Sequence, residues 1–166
     1  MSHISIVRAG GLALLLGLGA CNGVTSGKSA KVAEEVKATV SQMVTHFNAR
    51  DAVKAVSYDA PDFIGMFHGT PNALGVDGDL ATTKRQLADP NANLAVSHDS
   101  VEVAASGDMA VYRATYVYRF TDPKTKQATS ESGNWVVGFH EQPDGSMKMA
   151  WSIAADVPPP PSGPTS

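Results

Sequence analysis

The sequence of 166 residues contains a single cysteine, Cys21, so no disulfide bond can form within one chain. It also has no excess of positive charge, because 13 lysines and arginines against 16 acidic residues give a formal net charge of -3. Nucleic-acid-binding proteins are basic over at least one face, so no nucleic-acid partner is predicted. After residue 20, no apolar run reaches the about 20 residues that a membrane-spanning helix needs.

Motifs that identify a particular chemistry are absent as well. The sequence has no Ser-His-Asp order, no glycine-rich phosphate loop and no pair of residues with metal-ligand spacing. Its histidines are scattered along the chain, without a pattern of supporting residues. We therefore predict no metal site and no cofactor.

The single cysteine lies in an amino-terminal segment with a pattern of its own. Arg8 precedes an apolar run over residues 10–18, which has the length of a signal-peptide core. The residues Leu18-Gly19-Ala20-Cys21 resemble the lipobox of bacterial lipoproteins. The resemblance implies cleavage before Cys21, a lipid on its sulfur and, with Asn22 next, sorting to the outer membrane. An ordinary secretory signal with a chance cysteine is the alternative.

The composition of the remaining chain separates one central domain from two terminal segments. Small polar residues after the cysteine are typical of a flexible tether, and the proline run near the end cannot join a sheet. About 130 residues lie between these ends, which is enough for one domain with a core. The expected organisation is a lipoprotein signal peptide at 1–20, a tether at 21–30, one domain at 31–157 and a disordered tail at 158–166. The expected location is the bacterial cell envelope, facing the periplasm.

Helices are predicted in the first half of the domain. Apolar residues recur at three- and four-residue steps after a plausible N-cap at Ser29, which predicts a long helix with one apolar stripe. A short helix is expected over 52–58, a strand over 63–68, and a third helix over 79–87 with Asp79 as its N-cap. The stripe of the long helix consists of Val32, Val36, Val40, Met43, Val44 and Phe47.

Strands are predicted in the second half, organised around the segment 109–120. Over residues 93–105, apolar residues occupy every second position, but they change from even to odd positions near Asp99 and Ser100. Such a change within one strand predicts a β-bulge there. Short turns join the segments 93–105, 109–121, 129–141 and 147–155, so neighbours should pair antiparallel. In the last strand, Met147, Met149, Trp151 and Ile153 should share one face.

Helices followed by long strands predict an α+β fold. The segments His46–Asp51, Ser106–Ala110 and Gln142–Lys148, with Asp62 before a strand, resemble the SnoaL-like branch of the nuclear-transport-factor-2-like superfamily. The resemblance covers about residues 31–158. It implies a cone-shaped, curved antiparallel sheet wrapped around the N-terminal helices, as in cystatin-like folds, and dimerisation through the outer sheet face. It does not imply a single activity, because relatives include isomerases, dehydratases and pure binding domains.

A ligand pocket is predicted where aromatic residues share the inner face. Rings separated by alanines leave gaps, so we expect a cavity of about 300 Å³ or more under the long helix. A filled core with the same residues is an equally weighted alternative. The predicted pocket residues are Tyr112, Tyr116, Tyr118, Trp135, Phe139, Trp151 and Phe47.

Catalysis of the ketosteroid-isomerase kind would need a desolvated carboxylate base and hydroxyl donors. His98 and Asp99 lie at the predicted bulge, and bulges often redirect side chains into sites. Asp59 and Asp62 flank Pro61, where aspartate is more often a cap or turn residue. These four residues are weak candidates.

Three functions remain open. The first is a lipid-anchored protein that binds a small apolar or aromatic molecule, and the second is an isomerase or lyase (dehydratase) that uses the same cavity. The third is a structural or oligomerisation module with a filled cavity. A buried ionisable group with a shifted pKa in the pocket would favour an enzyme.

Overall fold

The computed structural model describes residues 22–157 and contains three helices and six strands there. All three helices precede the four long C-terminal strands, and no helix follows residue 93 within this range, as predicted. The elements are α1 (Asn22–Asn48), α2 (Ala52–Ala55), β1 (Asp59–Phe67), β2 (Ala73–Leu74), α3 (Gly75–Leu87), β3 (Asn93–Val103), β4 (Met109–Thr121), β5 (Ala128–Glu141) and β6 (Met147–Asp156).

The strands form one curved, unclosed sheet in the order β2-β1-β6-β5-β4-β3. β4 pairs antiparallel with both β3 and β5, which confirms the predicted hairpins. β1 pairs with β6 in parallel, so the sheet is antiparallel at every pair except this one. The two strands are distant in sequence, and no turn chemistry constrains their relative direction. The α+β class itself is confirmed.

The long helix α1 lies across the inner face of this sheet. Val36 and Val40 are almost completely buried there, with exposed fractions of 0% and 2%, against Tyr112, Val137 and Phe139 from β4 and β5. Burying each side chain of this size contributes roughly 1.5–3 kcal/mol. Hydrophobic burial therefore accounts for the docking of α1.

The helix α1 begins earlier than predicted. It starts at Asn22 and includes residues 22–30, so the prediction of a flexible tether fails over these residues. Ser29 lies inside the helix and is not its N-cap. The small polar residues of this segment have no strong helix breaker among them except two glycines, so they can continue a helix that packing further on has fixed.

Strand β3 contains the predicted bulge. Ser97 pairs with Thr115 and Ser100 pairs with Arg113, so His98 and Asp99 together face the single residue between those partners. His98 has a φ of 53°, a left-handed conformation that a non-glycine residue adopts at some cost. The change of parity read from the sequence is therefore a real feature of the strand.

Strand β6 contains a second bulge that the sequence did not reveal. Phe139 pairs with Met149 but Gly138 pairs with Trp151, which leaves Ala150 as an extra residue. Past this point Ser152 is buried, and Ile153 is exposed. The predicted alternation is thus wrong after Met149, and Trp151 lies over Gly138 on the outer face.

Residues 1–21 and 158–166 lie outside the described part of the chain. The predictions of a signal peptide, of lipid on Cys21 and of a disordered tail all concern these residues. Among the helices that the structure describes, none combines the length and the apolar character needed to cross a bilayer.

Candidate functional site

A cavity of about 260 Å³ lies between α1, α3 and the inner face of the sheet. Its volume lies somewhat below the predicted value of about 300 Å³ or more. Apolar side chains form most of the wall, and polar groups come from the turn after β1 and from α3, β5 and β6. The aromatic residues are Phe47, Phe63, Phe67, Tyr116, Tyr118 and Trp135, and the polar residues are His68, Thr70, Asp79, Thr83, Gln86, Glu131 and Ser152.

Four of the seven predicted pocket residues line this cavity: Phe47, Tyr116, Tyr118 and Trp135. Tyr112 is buried in the core instead, where its ring makes an edge contact with Trp135 at a centroid distance of 6.0 Å. Phe139 is a core residue with an exposed fraction of 0%. The prediction for Trp151 is wrong, because the β6 bulge turns it to the outer face.

Two polar groups on the aromatic wall already have partners. The Tyr116 hydroxyl donates a hydrogen bond to Oε1 of Glu131 at 3.2 Å. Burial, together with the negative charge of Glu131 and this hydrogen bond, raises the pKa of Tyr116. The Trp135 Nε1 donates to the Ser152 hydroxyl at 2.7 Å. Ser152 is turned inward by the β6 bulge, so the bulge supplies the partner that a buried indole N–H requires.

A pair of carboxyl groups forms the most unusual part of the site. Asp59 opens β1 and is 4% exposed, and no N–H or hydroxyl group in the described part of the chain donates to either of its oxygens. Its polar neighbour is Asp79 of α3, which lines the cavity. Two carboxyl groups can hydrogen-bond to each other only if one of them keeps its proton.

The pKa values of this acid pair (Asp59 and Asp79) are both displaced. Burial raises the pKa of Asp59 to about 8, with further contributions from the negative charge of Asp79 and from the hydrogen bond between the two carboxyl groups. The positive charge of Lys148 offsets part of this rise. Burial also raises the pKa of Asp79, against the opposing effect of the hydrogen bond with Asp59. The pair can therefore hold one proton near neutral pH.

Solved structures resemble this arrangement of helices and sheet. One is a nuclear-transport-factor-2-like protein with a cystatin-like fold from Novosphingobium aromaticivorans, with a TM-score of 0.68, 18% identity and coverage of 85% of this chain and 92% of that chain. A second is a nuclear-transport-factor-2-like superfamily protein from Salmonella enterica, with a TM-score of 0.67, 10% identity and coverage of 82% of this chain and 98% of that chain. The chain has the nuclear-transport-factor-2-like fold. A ketosteroid isomerase-like protein from Erwinia carotovora also shares it, with a TM-score of 0.61, 19% identity and coverage of 74% and 94%. No family model and no curated protein matches the sequence.

Three of the four catalytic candidates, His98, Asp99 and Asp62, lie outside the cavity of this nuclear-transport-factor-2-like fold. His98 and Asp62 are exposed. Asp99 is also exposed, and its Oδ2 lies 3.3 Å from the Lys37 ammonium. The β3 bulge redirects His98 and Asp99 towards solvent, so its presence was predicted correctly but its use in a site was not. Within residues 22–157, no three His, Cys, Asp or Glu side chains form a metal-binding group.

Asp79 was not predicted as a site residue, because its position in the sequence indicated a helix N-cap. It was read as the N-cap of the third helix, but α3 begins at Gly75 and Asp79 lies in its second turn. Asp59 had been weighed as a base and judged more typical of a cap. Only the packing of α3 against β1 brings the two together. The apolar surroundings that raise both pKa values come from residues distant in sequence. The local sequence around either aspartate therefore does not indicate the pair.

Proposed function

We propose that this domain binds a small apolar or aromatic molecule in the cavity under α1. The observation that carries the proposal is a concave wall rich in aromatic side chains, with Tyr118 stacked on Phe120 at 5.5 Å and in edge contact with Phe47 at 6.3 Å. Ligand sites are typically concave and mostly apolar, with a few placed polar groups. A volume of about 260 Å³ suits a molecule of one or two rings.

A larger side chain on the cavity-facing side of β6 tests the proposal, because it should occupy the space of the ligand. Ala154 lines the cavity, while its neighbour Ala155 is exposed on the other face. Ala154→Leu should abolish binding of indole measured by saturation-transfer NMR, whereas Ala155→Leu should leave it unchanged. Absence of indole binding to the unaltered protein, together with no co-purifying small molecule in native mass spectrometry, would refute the proposal.

A second candidate is an enzyme of isomerase or dehydratase type in the same cavity. The acid pair favours it, because a carboxyl group whose pKa lies near neutrality can both accept and donate a proton. Asp79 would be the group in contact with substrate, and Asp59 would hold the shared proton. The test is exchange of deuterium from heavy water into an enolisable apolar ketone such as 2-tetralone. Exchange should be accelerated by the protein and lost in Asp79→Asn; equal rates in both would reject catalysis by the pair.

The proposal also includes a location in the cell envelope. It rests on Leu18-Gly19-Ala20-Cys21 and on the absence of any other cysteine. Cys21→Ser should release the protein from the membrane fraction into the soluble periplasm. A variant that still sediments with membranes after a salt wash would contradict the lipid anchor.

Self-association through the outer sheet face is a further part of the proposal. Ile64 and Ile153 are 39% and 41% exposed there, on either side of Trp151. An apolar patch on the outer face suits a second copy of the same chain. Ile153→Lys should lower the mass measured by sedimentation equilibrium, and a monomeric unaltered protein would exclude the dimer.

A further inference from the structure

The charged side chains that line the cavity are mostly acidic. Asp79 and Glu131 both contribute to its wall, and the buried Asp59 is paired with Asp79. Among the described residues, no lysine or arginine lines the cavity. The single basic lining group in the described part of the chain is the imidazole of His68, which is about half exposed and lies 3.7 Å from the Asp156 carboxylate.

Two cations whose charge acts on the site, on Lys148 and Arg50, are bound to backbone carbonyl groups outside it. The Lys148 ammonium donates to the Ser57 carbonyl at 2.6 Å. The Arg50 guanidinium donates to the carbonyls of Leu87, Asp89 and Pro90 at 3.0, 2.5 and 2.6 Å. Neither group forms an ion pair with Asp79 or Glu131 within the described chain. Within residues 22–157, the acidic lining groups therefore have no lysine or arginine partner inside the cavity.

The tyrosines of the wall are affected by the same negative potential. Burial raises the pKa of Tyr118, and the negative charges of Asp89 and Glu131 add to the effect, against a smaller opposing effect of Arg50. Burial likewise raises the pKa values of Asp59 and Tyr116, and acidic neighbours add to both shifts. A negative potential in a cavity with low-dielectric walls attracts cations and repels anions.

We propose that the cavity selects apolar ligands that carry a positive charge, of the arylalkylamine class, over neutral and anionic molecules of the same shape. The inference rests on the proposed binding function and specifies its ligand. The ammonium group would lie against Asp79, where it compensates a carboxyl pair that lacks any N–H donor on Asp59. The apolar part would lie among the rings of Phe47, Tyr118 and Trp135, whose faces also favour cations.

Three indoles with two-carbon side chains provide the test: tryptamine, tryptophol and indole-3-acetate, which are cationic, neutral and anionic at pH 7. Isothermal titration calorimetry at constant ionic strength should give a dissociation constant about tenfold lower for tryptamine than for tryptophol, with indole-3-acetate the weakest. Asp79→Asn should remove most of the preference for tryptamine while tryptophol still binds. Asp62→Asn, an exposed change on β1, should leave all three constants unchanged.

The outcomes separate this inference from the function on which it rests. Equal affinity for tryptamine and tryptophol, or preference for indole-3-acetate, would overturn the charge selectivity and leave the binding function standing. Failure of all three to bind would overturn both. Should Asp79→Asn fail to fold, Glu131→Gln on β5 is the second variant, and it too must reduce the tryptamine preference for the inference to stand.

Discussion

Asp59→Asn is expected to reduce the pH dependence of stability and to make the protein more stable at alkaline pH. The folded-state pKa of Asp59 is raised to about 8 from an ordinary value of 3.8. Below pH 4 the carboxyl group is protonated in both states. As the pH rises from 4 to 8, the unfolded chain releases this proton while the folded chain keeps it, so the free energy of unfolding falls.

The size of this fall in stability follows from the difference between the folded-state and unfolded-state pKa values of Asp59. Each pH unit between the two pKa values costs about 1.4 kcal/mol, so a difference of about four units amounts to on the order of 5 kcal/mol. Typical domains have a total stability of about 5–15 kcal/mol, so the loss should be readily measured. Asp79 acts in the same direction, because its pKa is also raised. An asparagine at position 59 cannot ionise, and its amide can donate to Asp79.

Urea unfolding followed by tryptophan fluorescence from pH 4.5 to 8.5 provides the assay. The buried Trp135 supplies a signal that should change on unfolding. Asp59→Asn should match the unaltered protein within about 1 kcal/mol at pH 4.5 and exceed it by several at pH 8.5. Asp62→Asn, an exposed change on the same strand, should follow the unaltered protein throughout. Parallel curves for the unaltered protein and Asp59→Asn would refute the assignment of a buried protonated carboxyl group.

Three further substitutions test the packing around the cavity. Tyr116→Ala should cost less than the about 3–5 kcal/mol of a filled aromatic core position, since its ring borders a void, and should abolish ligand binding; a full loss with unchanged binding would contradict this. Asn48→Ala removes two hydrogen bonds to the backbone of Leu94, at 2.8 and 2.9 Å, and should cost about 1–3 kcal/mol in urea unfolding; no loss would contradict their role. Gly138→Ala would place a Cβ in the Trp151 ring, and should cost about 1–3 kcal/mol and alter tryptophan fluorescence, whereas an unchanged spectrum would show that the ring does not rest there.

Local patterns predicted the features that depend on neighbours in sequence. The apolar stripe at Val36, Val40 and Phe47 predicted the helix that lies on the sheet, because burial of one helix face imposes that spacing. The parity change around Asp99 predicted the β3 bulge, because residues on the two sides of that strand differ in polarity. Short turns predicted the hairpins on both sides of β4.

Features that depend on distant contacts were not predictable in the same way. The β6 bulge was not predicted because Met149, Trp151 and Ile153 alternate regularly with less apolar residues, as in a strand without a bulge. The outer face at this point is also apolar, so Trp151 can pack there. The acid pair escaped because Asp59 and Asp79 belong to elements that meet only through tertiary packing. Parallel pairing of β1 with β6 is likewise a long-range contact without a local signal.

The bulge at His98 also bears on what happens when many copies of the protein meet. Strand β3 is an edge strand of eleven residues, and a long regular edge invites strands from other molecules to add to it. The bulge interrupts that edge at residues 98–99, and the Asn48 amide occupies both outward backbone groups of Leu94. The uninterrupted stretches at 95–97 and 100–103 are shorter than the about six residues typical of stacked β-assemblies. At the other edge, β2 covers only Ile64 and Gly65 of β1, and the uncovered stretches at 59–63 and 66–67 are also shorter than about six residues. The folded domain therefore offers no long template for intermolecular β-sheet, and it should resist aggregation at the high local concentrations of a crowded compartment.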